Sequence, residues 1–536
     1  MVLQPHAPGV TTTASAAGTR AAAVRVIGLA TLLRLLVAAT LPFGIDESYA
    51  AVVSRTLSLS YFDHPPAVFW ITHAAAALGG ESPFALRWPF VLLFALTSWL
   101  LFRLTERLFG SRAGLWACIT AQLIPVFSLS GGGWVLPDGP LLCATVAAAL
   151  ALAQALPVAA PGTPARGDGG VWRNWLLVGG AFGCAGLSKY HAALLGAGAL
   201  GFVATDMPSR RWFLRVQPYA AVLVAALLVS PVFLWNAQHD WISFRFQGGR
   251  AAGQGNPITA VLQNVAGQAG YLLPWFWVPL IVLLARGIRT GPRERAAWFC
   301  ICIGAPPVFA FTLASLGGRA GLPHWPAPGY FLLLPLLGAA IARWEQRAPS
   351  VARRRMHLAA GVFAGLVLLV VTHAATGWIA MVVPSLHRRD PAFELLEYRS
   401  LRDTLTAAGL LQPARFIATS DWLRGSKVGY AVGPTKAIIV LNDDMRHFRF
   451  ATDIAPLLGS DGVLLVRMPA MISPDSARVT TAAYAPLFDS LRFVRTVPVL
   501  RGADTALTFG VFTAVHLRRG WADPRDDQRR LRAGRR

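Results

Sequence analysis

Four polar residues follow the first long apolar run of the sequence and are the first candidates for chemistry. Asp46 and Glu47 lie in the stretch FGIDESYA, and Asp63 and His64 lie in the stretch YFDHPP. A carboxylate or a histidine placed beside a hydroxyl group can accept its proton and make the oxygen a better nucleophile. Acids beside a membrane are also easily solvated, so an unreactive surface role stays open for Asp46 and Glu47.

A second set of polar residues lies at the ends of later apolar runs. The set comprises Asp138 in WVLPDGPLL, Lys189 and Tyr190 in GLSKY, Arg245 and Arg250 in the stretch 236–267, and Arg319 and His324 in GGRAGLPHW. The charge pattern described below places all of them on the outer side of a membrane, where lysine and arginine are normally scarce. We therefore predict that the cations bind a negatively charged ligand, while ion pairs with the nearby acids remain the alternative.

The chain that carries these residues is too apolar for an ordinary soluble protein of its length. Of its 536 residues 54% are hydrophobic and 14% are charged, and the mean hydropathy is +0.49. Apolar runs long enough to cross a bilayer predict a polytopic α-helical membrane protein with about eleven spans. We place the spans at 24–42, 84–102, 113–130, 136–156, 174–188, 191–206, 218–235, 268–285, 296–316, 326–342 and 358–384.

The formal net charge of +23 does not indicate a nucleic-acid partner, because the basic residues lie in alternate loops between the spans. The positive-inside rule puts these loops, and with them the N-terminus, in the cytoplasm. The loop 43–83 and the residues after 384 then lie outside. Residues 1–20 lack periodicity and are predicted to be a disordered tail. The stretch GAGALG at 196–201 indicates helix packing rather than a dinucleotide loop.

Two regions outside the spans have structure of their own. The loop 43–83 contains two short amphipathic stretches, 48–59 and 67–78, which predict helices lying along the membrane surface. From residue 385 onward, short runs rich in Val, Ile, Thr and Phe alternate with helical stretches, which predicts a small α/β domain over 385–536 that ends in a charged tail. The runs are ARFIATSD, KAIIVLN, GVLLVRM and TALTFGVFTAV.

Five motifs together resemble the bacterial members of the protein O-mannosyltransferase superfamily, which are membrane glycosyltransferases of the GT-C type. They are DESYA, YFDHPP, LPDGPLL, GLSKY and LPHWPAPGYFLLLPLLG. Relatives include the lipid A aminoarabinose transferases and the rhizobial galacturonosyltransferases that modify lipopolysaccharide. The resemblance covers about 43–342, so that 21–384 would form the glycosyltransferase domain, with 43–83 as its catalytic first loop.

The resemblance implies an inverting transfer from a polyprenyl-phosphate sugar on the periplasmic side of the bacterial inner membrane. Asp46 would be the catalytic carboxylate, with Glu47 beside it and Asp63 as the second acidic residue of the loop. His64 stands where the aminoarabinose branch has lysine. Some relatives bind a divalent metal ion, and Asp63 and His64 are two possible ligands. The basic positions of the family that hold the donor phosphate fall on Lys189, Arg250 and Arg319, and its outer-cleft acid falls on Asp138.

We therefore predict an enzyme that moves a sugar from a polyprenyl-phosphate donor to an envelope acceptor. The acceptor stays open between lipid A or lipopolysaccharide, another glycolipid, a glycan and a protein. A transporter or flippase of lipid-linked sugars is the main alternative, and it would need charges or broken helices near the middle of the bilayer. A structural or receptor module that acts through its C-terminal domain is a third possibility.

Overall fold

The computed structural model describes residues 13–160, 170–250, 253–383, 390–468, 474–502 and 504–521. The charged C-terminal tail and the first twelve residues of the predicted disordered tail lie outside these ranges. The first helix begins at Thr13, so residues 13–20 are helical rather than irregular. Their sequence, TASAAGTR, is rich in alanine, which is the residue with the highest helix propensity.

The described residues form twenty α-helices, joined by short 3-10 segments and by one π-helical turn at Val126–Gly131. In chain order they are α1 (Thr13–Thr40), α2 (Ile45–Val53), α3 (Ala67–Gly79), α4 (Pro83–Phe109), α5 (Ser111–Leu123), α6 (Asp138–Ala155), α7 (Val171–Ser188), α8 (Ala192–Thr205), α9 (Val216–Gln238), α10 (Ile242–Gly249), α11 (Pro257–Leu272), α12 (Pro274–Thr290), α13 (Arg295–Ala314), α14 (Ala327–Arg347), α15 (Pro349–Thr376), α16 (Trp378–Val382), α17 (Arg399–Ala407), α18 (Trp422–Val432), α19 (Phe448–Ala451) and α20 (Pro474–Tyr484).

Seven of these helices are long and apolar enough to cross a membrane: α1, α4, α6, α9, α13, α14 and α15. The pair α11 and α12, bent by 113°, brings the number to eight if it counts as one span. The chain is therefore a multi-pass helical membrane protein. Three predicted spans coincide with α5, α7 and α8. As far as the structure describes these helices, they are not long and apolar enough to count as membrane spans. The number of eleven spans stays a prediction.

The chain divides into two compact units. The first, here called the helical unit, contains the described residues up to Ala39, Ser58–Val68 and Arg87–Gly365. The second, here called the α/β unit, contains Thr40–Leu57, Phe69–Leu86 and the described residues from Leu366 onward. Helix α2 and all but the first two residues of α3 thus belong to the same unit as the C-terminal region. The sequence boundary at 385, in contrast, groups both helices with the spans.

Glycines allow the helices of the helical unit to pack closely. A Cβ atom added to Gly198 in α8 would lie 2.2 Å from the carbonyl oxygen of Cys302 in α13. One added to Gly338 in α14 would lie 2.4 Å from the carbonyl oxygen of Ala113 in α5. No side chain fits at such distances, so both positions require glycine. The contact at Gly198 agrees with the prediction that the GAGALG stretch serves helix packing.

The α/β unit is built on a five-stranded sheet with the order β2-β1-β3-β5-β4. Its strands are β1 (Phe416–Thr419), β2 (Ala437–Val440), β3 (Gly462–Met468), β4 (Phe488–Arg501) and β5 (Asp504–Leu517). Strand β1 pairs in parallel with β2 and β3, and the long hairpin β4–β5 adds to β3 in antiparallel fashion. The four runs predicted from the sequence form β1, β2, β3 and β5, and β4 was not predicted.

Helix α2 packs on α18 within the α/β unit. The Tyr49 ring makes edge contacts with Trp422 and Phe448, and its hydroxyl accepts a hydrogen bond from the backbone N–H of His447 at 3.0 Å. A buried aromatic ring with a satisfied hydroxyl fixes both the position and the rotation of its helix. This packing explains why the first-loop helix α2 belongs to the α/β unit.

Candidate functional site

Helix ends of the helical unit bring together most of the predicted site residues. Asp138 begins α6, Lys189 directly follows α7, and the Lys189 Nζ lies 2.9 and 3.0 Å from the two carboxylate oxygens of Asp138. Lys189 is only 5% exposed. The ammonium group and the carboxylate therefore form an ion pair with two hydrogen bonds. This ion pair is largely shielded from water.

The local sequence explains how Lys189 reaches this place. Helix α7 ends at Ser188, Lys189 takes an extended conformation with φ −160° and ψ 144°, and α8 starts at Ala192. Because the helix is interrupted here, the Lys189 side chain points in a direction that it would not have in a continuous helix. Asp138 follows Pro137, whose fixed φ favours the start of a helix.

Three histidines and an arginine surround this ion pair. Asp138 interacts electrostatically with His324 and His191, and His324 interacts in turn with Arg250 and His64. His191 is 9% exposed, its ring packs on Phe311, and its Nε2 has no hydrogen-bond partner in the described part of the chain. We name the group Asp63, His64, Asp138, Lys189, His191, Arg250 and His324 the polar cluster.

The YFDHPP motif contributes the acidic side of the polar cluster. Asp63 is 3% exposed, and one of its carboxylate oxygens lies 3.2 Å from Nδ1 of His64. The side chain of Gln247, at the end of α10, donates a hydrogen bond to the backbone carbonyl of Asp63. The Arg250 guanidinium stacks over the Trp325 ring with 4.8 Å between its Cζ and the ring centroid. Arg250 is thus oriented by an aromatic face.

Tyr190 lies next to the polar cluster with a buried hydroxyl. Its ring packs against Phe244 at 5.2 Å between centroids. Burial raises the pKa of this hydroxyl, and the negative charge of Asp63 raises it further. Tyr190 is therefore uncharged at neutral pH and can only donate or accept a hydrogen bond.

His324 should make stability depend on pH. Burial, and next the charge of Lys189, lower the pKa of His324 from 6.5 to about 4. Between these values the unfolded chain binds a proton that the folded chain does not. The contribution of His324 to the free energy of unfolding is therefore complete above pH 6.5 and is lost as the pH falls toward 4.

Melting temperatures of the detergent-solubilised protein between pH 4 and pH 7 test this. His324→Asn should flatten the decline of the melting temperature below pH 6.5, whereas the control His357→Asn, which changes an exposed histidine of α15, should not. The same decline in wild type and His324→Asn would contradict the role of His324.

The prediction groups Arg245 and Arg319 with Lys189 and Arg250, but the structure places these two arginines elsewhere. Both are exposed, and the charges that act most strongly on Asp138, His191 and His324 belong to other residues. Arg245 lies in α10 and Arg250 directly follows the helix. Their separation by five positions corresponds to about 140° around a helix axis. Only one of the two can face the polar cluster, and the structure turns Arg250 toward it.

The predicted metal ligands Asp63 and His64 contact each other. No group of three or more His, Cys, Asp or Glu side chains in the described ranges is arranged to hold a metal ion. A pair supplies fewer donors than a protein metal site normally uses. The residues present in the described ranges therefore do not fit a divalent ion.

Asp46 and Glu47, the first candidates, lie in the α/β unit at the start of α2. Asp46 is exposed, and Glu47 is 1% exposed. The Glu47 Oε2 accepts a hydrogen bond from the backbone N–H of Gly44 at 2.9 Å, and the Ser48 hydroxyl donates to the Gly44 carbonyl. This is a capping interaction, in which the N3 glutamate reaches back to the N-cap backbone. The two neighbouring acids thus have different surroundings, and Glu47 stabilises the helix that presents Asp46.

The capping role of Glu47 leads to a stability prediction. Glu47→Gln keeps an oxygen that can accept the Gly44 N–H, so its melting temperature should stay close to that of wild type. Glu47→Ala removes the acceptor and should lower the free energy of unfolding by about 1 kcal/mol. Thermal unfolding of both variants in detergent measures the difference, and equal losses in the two would contradict the capping role.

Two residues near Asp46 were not predicted as site residues. Desolvation and the negative charge of Asp46 raise the pKa of the Glu394 carboxyl, and Lys427 acts on it in the opposite direction. Lys427 is buried in α18 and donates a hydrogen bond to the carbonyl of Phe43. No local motif marks either residue, because the contact joins positions 384 residues apart in the chain.

Comparison with known proteins supports the class of protein that this fold and these motifs define. The family model described as dolichyl-phosphate-mannose-protein mannosyltransferase matches residues 63–235. The match begins at Asp63, so the segment with Asp46 precedes it. The crystal structure of ArnT from Cupriavidus metallidurans bound to undecaprenyl phosphate is similar with a TM-score of 0.62 and 17% identity, over 91% of this chain and 97% of that one. The structural likeness shows a shared fold.

Two curated relatives are similar in sequence. The lipid A galacturonosyltransferase RgtD of Rhizobium johnstonii is 25% identical over 308 residues, which are 56% of this chain and 60% of that protein. An undecaprenyl phosphate-alpha-4-amino-4-deoxy-L-arabinose arabinosyl transferase of Pseudomonas paraeruginosa is 28% identical over 379 residues, 66% of this chain and 62% of that protein. The matches thus span less than two thirds of either relative. The predicted resemblance to the GT-C-type members of the protein O-mannosyltransferase superfamily is confirmed by these similarities.

Proposed function

We propose that this protein transfers a sugar from a polyprenyl-phosphate donor to an acceptor of the bacterial cell envelope. The observation that carries the proposal is the polar cluster, which places Lys189 and Arg250 at helix ends of a multi-pass membrane protein. Lysine and arginine are the side chains that bind phosphate oxygens. A donor with a phosphate head and a polyprenyl tail suits cations held at the ends of apolar helices. The names of the two relatives also refer to sugar transfer and to lipid A or undecaprenyl phosphate.

In the proposed reaction a hydroxyl group of the acceptor attacks the anomeric carbon of the donor sugar. A new carbon–oxygen bond forms on one face while the bond to the phosphate oxygen breaks on the other, so the configuration inverts. Asp46 accepts the hydroxyl proton. The polyprenyl phosphate leaves with the electron pair, and Lys189 and Arg250 stabilise its charge. The reaction is balanced without a nucleotide or a further reactant.

The neighbouring charges determine how strongly Lys189 and Arg250 can attract a phosphate group. Within the polar cluster, two carboxylates, Asp63 and Asp138, balance these two cations. Asp138 thus holds Lys189 in place but also reduces its attraction for a phosphate. The neutral histidine at position 324 and the uncharged Tyr190 add hydrogen-bonding groups without further charge. We propose that His64 and these two side chains contact the donor, while Arg245 and Arg319 remain peripheral basic residues.

The resemblance and the charge pattern support a proposed acceptor and a proposed membrane side. Lipid A or another part of lipopolysaccharide is the favoured acceptor, because a lipid A transferase is among the relatives. Another glycolipid, a glycan or a protein would use the same chemistry. The proposal places the protein in the inner membrane with about eleven spans, a cytoplasmic N-terminus and a periplasmic reaction, and gives the C-terminal domain a part in selecting the acceptor.

Mass spectrometry of the envelope of a deletion strain tests the proposal. Lipid A, other glycolipids, glycans and glycoproteins are compared between the parent, the deletion strain and deletion strains complemented with wild type or Asp46→Asn. We expect one class of molecule to lose the mass of one sugar in the deletion strain and to regain it only with the wild-type gene. Identical profiles in all four strains would refute a transfer to these acceptors.

A further inference from the structure

Lys427 is an unusual residue for its position. Only three of the 49 basic residues of the chain are lysines, namely Lys189, Lys427 and Lys436. Lys427 lies in the middle of α18 and is 4% exposed. Burying an ammonium group is costly unless polar partners compensate it. A compact ammonium also fits where the wider guanidinium group does not.

Lys427 contacts the backbone that leads into α2. Its Nζ donates a hydrogen bond of 2.5 Å to the carbonyl oxygen of Phe43, the residue before the N-cap Gly44. The Phe43 ring stacks on Tyr430, three residues further along α18, with 4.9 Å between centroids. Phe43 is therefore held through its backbone and its side chain by the same helix.

The other end of α2 also contacts α18. A Cβ atom added to Gly429 would lie 3.1 Å from a methyl group of Val52, so the glycine allows close approach. Arg55, just after α2, donates to the carbonyls of Gly429 and Gly433. Helix α18 thus holds α2 at both ends, and Lys427 acts at the end where Asp46 lies.

Lys427 also belongs to the charged surroundings of Asp46. Its Nζ lies 5.6 Å from the centroid of the Tyr398 ring, and both Lys427 and Asp46 act electrostatically on Glu394. We infer that Lys427 is a positioning residue, which fixes the first turn of α2 and thereby orients Asp46. The inference rests on the proposed function, and it makes the C-terminal region necessary for the reaction rate.

A matched pair of lysine variants tests the inference. Lys427→Met keeps the length of the side chain but loses the hydrogen bond to Phe43. Lys436→Met is the control, because Lys436 also donates to backbone carbonyls of the same unit, those of Gln412 and Ala414, away from α2. We expect Lys427→Met to lower kcat by about 10²-fold at an unchanged donor KM, as a misplaced catalytic group does. Lys436→Met should keep the wild-type kcat.

Hydrogen exchange supplies a readout that does not need activity. In Lys427→Met the amides of α2, including that of Ser48, which bonds to the Gly44 carbonyl, should exchange at least about ten-fold faster, while those of β3 stay unchanged. Wild-type kcat and wild-type exchange in α2 would overturn the inference. If Lys427→Met does not fold, Lys427→Arg takes its place. A wild-type kcat together with faster α2 exchange in Lys427→Arg would also overturn the inference. Faster α2 exchange in Lys427→Met, combined with a wild type that transfers no sugar, would refute the proposed function and leave the positioning of α2 intact.

Discussion

Asp46→Asn is expected to lower the kcat of sugar transfer by about 10³-fold, the typical contribution of a general base. Asparagine has the same shape as aspartate but cannot accept the proton of the acceptor hydroxyl. Asp46 is exposed at the first turn of α2, so the substitution should cause little change in folding. The measurement is the rate at which purified protein releases polyprenyl phosphate from a polyprenyl-phosphate sugar in the presence of acceptor.

Two further variants show whether the effect belongs to Asp46 itself. Glu47→Gln keeps the cap on Gly44 and should retain most of the transfer rate. Asp403→Asn removes an exposed acid of α17, whose carboxylate pairs with its neighbour Arg402, and should have no effect. A wild-type rate in Asp46→Asn, or an equal loss in Glu47→Gln, would contradict the assignment of the base to Asp46.

Lys189→Met is expected to lower the transfer rate by about 10²- to 10³-fold, the range found when one group that stabilises transition-state charge is removed. The substitution also leaves the Asp138 carboxylate without its cation in a buried place, which should cost about 3 to 5 kcal/mol of stability. A lower melting temperature therefore accompanies the lower rate, and the two effects must be separated.

The double variant Lys189→Met/Asp138→Asn separates them. It removes both charges, so its melting temperature should recover toward that of wild type, while its transfer rate should stay as low as in Lys189→Met. Asp138→Asn alone frees Lys189 and should not raise the donor KM. If the ion pair is only structural, the double variant would recover the rate together with the melting temperature, and that result would remove Lys189 from the phosphate site.

The motifs YFDHPP and GLSKY predicted site residues where the site depends on residues that are close together in the sequence. The two prolines after Asp63–His64 and the polar break in GLSKYH mark the ends of apolar segments, and helix ends are where membrane proteins place such residues. Helix α3 was predicted at 67–78 and found at Ala67–Gly79. Helix α2 was predicted at 48–59 and found at Ile45–Val53, because the Glu47 cap starts it earlier and the chain turns after Ser54.

Long-range contacts account for what the sequence did not reveal. The hydrogen bond between Lys427 and Phe43 joins two regions that look independent along the chain. His191 follows Lys189 and Tyr190 and resembles an ordinary core histidine, and only its burial among the charges of the polar cluster distinguishes it. Strand β4 was missed because it is an edge strand, which carries exposed arginines and tolerates Pro498.

A single assay in proteoliposomes tests the central proposal most directly. Vesicles that contain the purified protein, a donor with a labelled sugar and lipid A are incubated, and the labelled lipids are separated by size and charge. We expect the label to move to the acceptor with release of one polyprenyl phosphate per sugar in wild type, and no transfer in Asp46→Asn. Movement of the intact labelled donor across the bilayer, with the sugar still attached to its phosphate in every acceptor mixture tried, would contradict the proposal and indicate a flippase.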